Sequence, residues 1–169
     1  FYEDYPVSEI SNIWKDTRGE VNRIYVVQTA TKIIERCLLI CTDPGDLTLD
    51  ITCGGGTTAF VSEQWGRRWI TCDTSRVAIQ LAKQRLMTAK FDYYELAQLQ
   101  EGVSSGFKYK NVPHITLGSI ANNEPSKEET LYDQPLKDTK KVRVTGPFTV
   151  EAVPGIRTKP IDGELPDVS

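Results

Sequence analysis

Apolar residues recur at helical spacing in two long stretches and alternate with polar ones in the short runs between them. In TATKIIERCLLICT, residues 29–42, one face carries Ile33, Ile34, Cys37, Leu38 and Cys41. This spacing predicts a helix, with Thr29 or Thr31 placed to cap its start and DPGD at 43–46 to stop it. LTLDI, residues 47–51, alternates and predicts a strand. Three glycines follow, then TTAFVSEQWG, which reads as a helix closed by Gly66. RRWITC predicts a second strand. SRVAIQLAKQRLMTAK puts Val77, Ala78, Leu81, Ala82, Leu86 and Ala89 on one face of a second long amphipathic helix, and YYELA is a candidate third strand. Helix, strand, helix, strand, helix, strand is the repeating unit of a parallel, doubly wound α/β sheet.

The pattern changes near residue 99. EGVSSG is a turn, FKYKNVPHITL a strand interrupted by Pro113, SIANNEPSKEE a polar loop, and KKVRVTGPFTVEAV a strand with a Gly-Pro break. This divides the chain into an N-terminal segment (1–27), an α/β core (28–98) and a C-terminal extended region (99–169) whose tail is expected to be mobile.

Composition narrows the function. The 169 residues suffice for one α/β domain with a real core. A net charge of −3 provides no broad basic field for phosphates, so any contact with nucleic acid is local or assisted from elsewhere. No apolar run approaches the ~20 residues of a membrane helix and no signal peptide opens the chain, which points to a cytoplasmic protein. Phe1 stands where a methionine would, so the chain reads as a piece of a longer polypeptide. Cys37, Cys41, Cys53 and Cys72 read as reduced packing residues rather than zinc ligands, because no CxxC accompanies them and the sole histidine, His114, is distant in sequence. His114 receives no catalytic role, and Trp14, Trp65 and Trp69 read as packing residues. Arg67, Arg68 and Arg76 form a small basic group near the glycines, read as a solvated face.

The chemistry concentrates in LTLDITCGGGTTAF, residues 47–60. A nucleotide-triphosphate loop needs a lysine after its last glycine, and Thr57 stands there instead. A dinucleotide fingerprint fits better: Gly54, Gly56 and Ala59 match G-x-G-x-x-A, and Asp73 ends the next strand where a ribose-binding acid belongs. This keeps an NAD-dependent oxidoreductase in view. Asp50 opposes it, because a carboxylate at the end of the strand feeding the loop repels a pyrophosphate. S-adenosylmethionine reverses the sign: it carries a sulfonium and an ammonium and no phosphate. Asp50 can then accept from the ammonium, Gly54, Gly55 and Gly56 let the chain pass close, and Asp73 can hold the ribose hydroxyls, with Thr74 and Ser75 beside the adenine. The plainer roles are a strand-end cap for Asp50 and an N-cap of the following helix for Asp73.

LDITCGGGTT resembles the cofactor motif of the amino-directed DNA methyltransferases, which methylate N6 of adenine or N4 of cytosine. The family's usual string, LDPF/T-CGSGTT, has a proline where Ile51 stands and a serine where Gly55 stands. VVQTATKIIERCLL resembles the segment before the cofactor strand, with Gln28 retained and Thr29 and Ala30 in place of Lys-Pro. ISNIWKD and GRRWITCDTSRVAIQLAKQRL extend the similarity over residues 10–90, and residues 107–150 look like segments of large adenine-specific methylases. The order resembles the β class and the modification subunit of type III restriction systems. The resemblance implies a Rossmann-like sheet binding S-adenosylmethionine through Gln28, Thr29, Asp50, Thr52, Cys53, Gly54, Gly55, Gly56, Thr57, Asp73, Thr74 and Ser75.

The same family grips its target base with an Asp/Asn/Ser-Pro-Pro-Tyr/Phe tetrapeptide, and this sequence contains no Pro-Pro pair. TDPG at 42–45 and TGPF at 145–148 are the nearest strings and read as a turn and a strand break. The resemblance therefore implies a cofactor-binding segment of a site-specific methyltransferase, adenine-N6 directed, inactive alone. Its catalytic and target-recognising half, and the contact with DNA, would lie outside this chain. A non-catalytic binding module with the same fold is the third reading. Without its neighbour the strand near Leu49 is predicted to be an open edge, covered by self-association into a homo-oligomer or by the C-terminal strands.

Overall fold

The computed structural model describes residues 10–17, 19 and 24–153. Two strands form where the alternation predicts them: β1 (Leu47–Asp50) and β2 (Arg68–Thr71) pair in parallel, Leu47 opposite Arg68 and Asp50 opposite Thr71. Three helices accompany them, α1 (Thr31–Cys41), α2 (Thr57–Gln64) and α3 (Arg76–Thr88). α2 packs on β1 and β2 and is flanked by α1 and α3. Thr48 joins sheet to helix through a buried 2.8 Å hydrogen bond between its hydroxyl and that of Ser62. Leu38, Val61, Trp65, Tyr94 and Phe107 form the main core, bringing α1, α2 and later strands together. Trp65 and Tyr94 lie 5.6 Å apart between ring centres, and Tyr94 meets Phe107 edge-on at 5.2 Å.

Several local expectations change. Ala30, not Thr29 or Thr31, holds the cap position of α1, and no side chain caps that end. The helix stops as predicted, with Asp43 N–H donating to the Asp46 carboxylate in the DPGD turn. β3 (Phe91–Tyr94) starts two residues before YYELA, and it does not extend the parallel pair. It pairs antiparallel with a distant strand, β6 (Lys137–Arg143). That partner brings Lys137 within 2.5 Å of the Asp92 carboxylate and lays the Arg143 guanidinium 5.0 Å from the Phe91 ring centre. Among the described residues the parallel sheet thus has two strands, with helices on one face.

The C-terminal region is more regular than its composition suggests. β4 (Tyr109–His114) pairs antiparallel with β5 (Lys127–Pro135) and runs through Pro113 rather than breaking there. β4 has one partner strand, so the missing proline N–H can face the open side. Within SIANNEPSKEE a short helix, α4 (Leu117–Ala121), forms behind a reciprocal cap between Thr116 and Ser119. The C-terminal strands therefore do not cover β1: β5 is taken by β4 and β6 by β3. The sheet face opposite α2 is also open. Leu49 is 65% exposed, Ile51 70% and Ile70 54%. The predicted mobile tail lies outside the described residues from 154 onward, as does part of the N-terminal segment. No described helix is long and apolar enough to cross a membrane.

Candidate cofactor site at the strand ends

Two parallel strands that stop together leave a crevice at their carboxyl ends. Here Asp50 and Thr71 end β1 and β2 side by side, and Cys53 N–H donating to Cys72 carbonyl at 2.9 Å carries the ladder into the loops. The glycine loop then turns sharply. Gly54 has φ +50 and Gly56 φ +71, both in the left-handed region that favours glycine. Gly56 N–H closes the turn on the Cys53 carbonyl at 2.8 Å. A side chain at Gly56 would also collide with α3, since its Cβ would lie 2.7 Å from Ala82 Cβ.

Asp73 ties the two strand ends together. Its Oδ2 accepts from Gly54 N–H at 2.9 Å and its Oδ1 from Ser75 N–H at 2.8 Å. The Ser75 and Gly54 amides hold its carboxyl below the ordinary Asp range, so it is ionised at neutral pH. Asp73 is not the N-cap of α3. Ser75 is, its hydroxyl accepting from Ala78 N–H. Asp50 accepts from Thr52 N–H at 2.9 Å through Oδ1, while Oδ2 has no hydrogen-bond partner among the described residues. It stays half-buried at the strand end.

The other predicted residues divide by task. Thr29, Thr52 and Thr74 are exposed around the loop. Cys53 is buried, and burial pushes its thiol pKa up, so it packs rather than reacts. Thr57 is buried at the start of α2, where its hydroxyl receives the Arg85 guanidinium at 3.1 Å. Gln28 turns its side chain inward, and its Oε1 accepts from Ile24 N–H at 2.9 Å.

Two side chains that sequence reasoning left out complete the loop. Arg85, from α3, donates to the Gly55 carbonyl at 3.1 Å and lies 4.4 Å from the Phe60 ring centre. Its place at the end of a helix following the second strand was the available signal. Tyr25 lies over the loop, its ring beside the Cβ position of Gly54 and its own Cβ beside that of Gly55, and nothing in its sequence context marks it.

The proposed basic group does not assemble here. Arg67 and Arg68 precede and begin β2, at the end of the strand opposite the loop. Arg67 is buried, donating to the Thr42 hydroxyl at 3.0 Å and the Trp65 carbonyl at 2.8 Å, and burial lowers its pKa. Arg68 donates to the Gly45 carbonyl at 2.9 Å. Near that end lies a cavity of about 720 Å³, lined by Trp69, Tyr94, Phe107 and Phe148 beside the 2.6 Å Glu63–Arg143 ion pair. His114 faces Glu129 across the β4–β5 hairpin, 3.1 Å from its carboxylate.

Part of the chain is similar to known proteins. Residues 4–84 match the DNA methylase family. The matched span holds the glycine loop, Asp50, Asp73 and most of α3. Type II methyltransferase M.BamHI of Bacillus amyloliquefaciens is 30% identical over 97 residues, covering 54% of this chain and 22% of that protein. Type II methyltransferase M2.DpnII of Streptococcus pneumoniae is 39% identical over 54 residues, covering 32% of this chain and 20% of its own length. Type II methyltransferase M.HpaI of Haemophilus parainfluenzae is 26% identical over 143 residues, covering 78% of this chain and 45% of that protein. The chain thus spans about a fifth of the first two relatives and under half of the third. A solved structure, the M1.HpyAVI–SAM complex, shares 30% identity over 44% of this chain and 36% of its own, with a TM-score of 0.39. Over the matched span, then, the chain is similar to DNA methylases and to part of several type II methyltransferases.

Proposed function

We propose that this chain is the S-adenosylmethionine-binding segment of a DNA methyltransferase directed at an exocyclic amine, adenine N6 in particular. One observation carries the reading: the two carboxylates at the strand ends keep acceptor capacity that the loop does not use. Asp50 Oδ2 is unbonded among the described residues, and each Asp73 oxygen has one amide partner and a lone pair to spare. Such a site suits a ligand bearing ribose hydroxyls, an ammonium and a positive sulfur. It opposes a diphosphate, which brings only acceptors and negative charge.

The residues present therefore fit S-adenosylmethionine. Asp73 would hold the ribose, Asp50 would receive the ammonium, and Gly54–Gly56 would supply the close backbone. When bound, that cofactor supplies a methyl group attached to a cationic sulfur. The chain's own contribution is to hold the donor in one orientation, which lowers the barrier by positioning. The adenine preference rests on the resemblance of residues 107–150 to segments of adenine-specific methylases. With no Pro-Pro tetrapeptide here, the base-gripping group and the DNA contact come from residues beyond these 169, and this chain alone is inactive on DNA. Residues 28–98 form the binding part, in a type III modification-subunit-like arrangement in the cytoplasm.

Titration calorimetry with S-adenosylhomocysteine and with NAD on the same sample tests the proposal. The expected result is binding of the first alone, weakened in Asp50→Ala. Binding of NAD alone, or an Asp50→Ala variant with unchanged affinity, would overturn it.

A further inference from the structure

Residues 24–28 fold back over the glycine loop. The segment is a bend whose two valines, Val26 and Val27, point to solvent while the ring between Ile24 and Val26 turns inward. Tyr25 Cδ1 and Cε1 lie 3.5 and 3.6 Å from where a Gly54 Cβ would stand, and its own Cβ is 3.1 Å from where a Gly55 Cβ would stand. The bend is pinned at both ends. Gln28 Oε1 accepts from Ile24 N–H at 2.9 Å and sits 3.5 Å from the same Gly55 position. Gly55 therefore provides the room that Tyr25 and Gln28 occupy. Any side chain at 55 would have to push them outward.

We propose that Tyr25 is a strap closed on the glycine loop, and that it must swing away before a ligand reaches the Gly54–Gly55 backbone. The proposal rests on the reading of that loop as the cofactor site. A Cβ added at Gly54 would meet the ring at ordinary contact distance, 3.5 Å, so the ring stands too near that backbone to admit a non-bonded layer of ligand atoms. Binding is then coupled to opening of residues 24–28, and the observed affinity is the intrinsic affinity scaled by the open fraction. The hinge needs little: the Gln28–Ile24 hydrogen bond is exposed, and the two outward valines make no packing that opening would lose.

The test compares the wild-type chain with Tyr25→Ala and Tyr25→Phe. A strap closed nine-tenths of the time lowers apparent affinity about tenfold, so Tyr25→Ala should bind S-adenosylhomocysteine about tenfold more tightly, and Tyr25→Phe, which keeps the ring, should match wild type. In the ligand-free chain, amide hydrogen exchange across residues 54–57 should quicken in Tyr25→Ala. Gly55→Ala provides a second variant should Tyr25→Ala misfold, with faster exchange expected at residues 24–28. Unchanged or weaker affinity in Tyr25→Ala overturns the proposal, and so does unchanged exchange in the variant that folds. If wild type and Tyr25→Ala both ignore the ligand, the cofactor reading fails, while the exchange measurement still decides whether the strap exists.

Discussion

Replacing Gly56 by alanine puts a methyl group where the loop and α3 leave no space. Two costs add. The residue holds φ +71, a conformation costing a non-glycine residue about 1–2 kcal/mol. The new Cβ would stand 2.7 Å from Ala82 Cβ and 3.1 Å from Ala82 Cα. Neither atom belongs to a flexible side chain, so relief requires shifting α3, and overpacking of this kind costs about 1–3 kcal/mol. Gly56→Ala should therefore destabilise the chain by about 2–5 kcal/mol, against a total of about 5–15 kcal/mol for a native domain. Urea unfolding followed by tryptophan fluorescence measures it, since Trp65 lies in the core that α2 helps to build. Two companions isolate the cause. Gly146→Ala meets nothing within 4 Å and should stay within about 0.5 kcal/mol of wild type. Ala82→Gly removes the nearer contact, so the double variant should lose about 1 kcal/mol less than the sum of the single ones. A Gly56→Ala chain as stable as wild type, with additive double-variant behaviour, would refute the packing argument.

Two further outcomes follow from the same structure. Asp73 and Asp16 both have carboxyl pKa values below the ordinary 3.8, the first through the Ser75 and Gly54 amides and the second through Arg36 and Lys32. A lowered folded-state pKa means the stabilisation is complete above the unfolded value and is lost as pH falls through the folded one; thermal melting should therefore drop on acidification below about pH 4, and Asp73→Asn should flatten part of that drop, whereas an unchanged acid limb would remove Asp73 from the account. The open face and edge of β1 are expected to drive self-association, so sedimentation velocity should show a concentration-dependent oligomer that Leu49→Lys shifts toward monomer with little loss of stability, because Leu49 already faces solvent; a monomer at all concentrations in both chains would remove that role.

What was legible from the residues alone was local. Glycine at 54 and 56 announces a turn because few other residues tolerate the left-handed region, and both positions adopt it. The apolar spacing of 29–42 and 75–90 marks two helices because burial of one face repeats every 3.6 residues, and α1 and α3 form there. Acids placed at consecutive strand ends point to a crevice, and there Asp50 accepts from Thr52 N–H while Asp73 accepts from Gly54 N–H in the glycine loop. Tertiary structure decided the rest, because it depends on contacts between residues far apart in the chain. Nothing near Phe91 shows that its strand will turn to residues 137–143 rather than to β2; that choice depends on Lys137 and Arg143 arriving from a distance. Arg67 looked like a surface charge until Thr42 and Trp65 closed around it. Tyr25 had no pattern to mark it, since it takes the space that a side chain at Gly55 would need, and that neighbourhood exists only once the chain has folded.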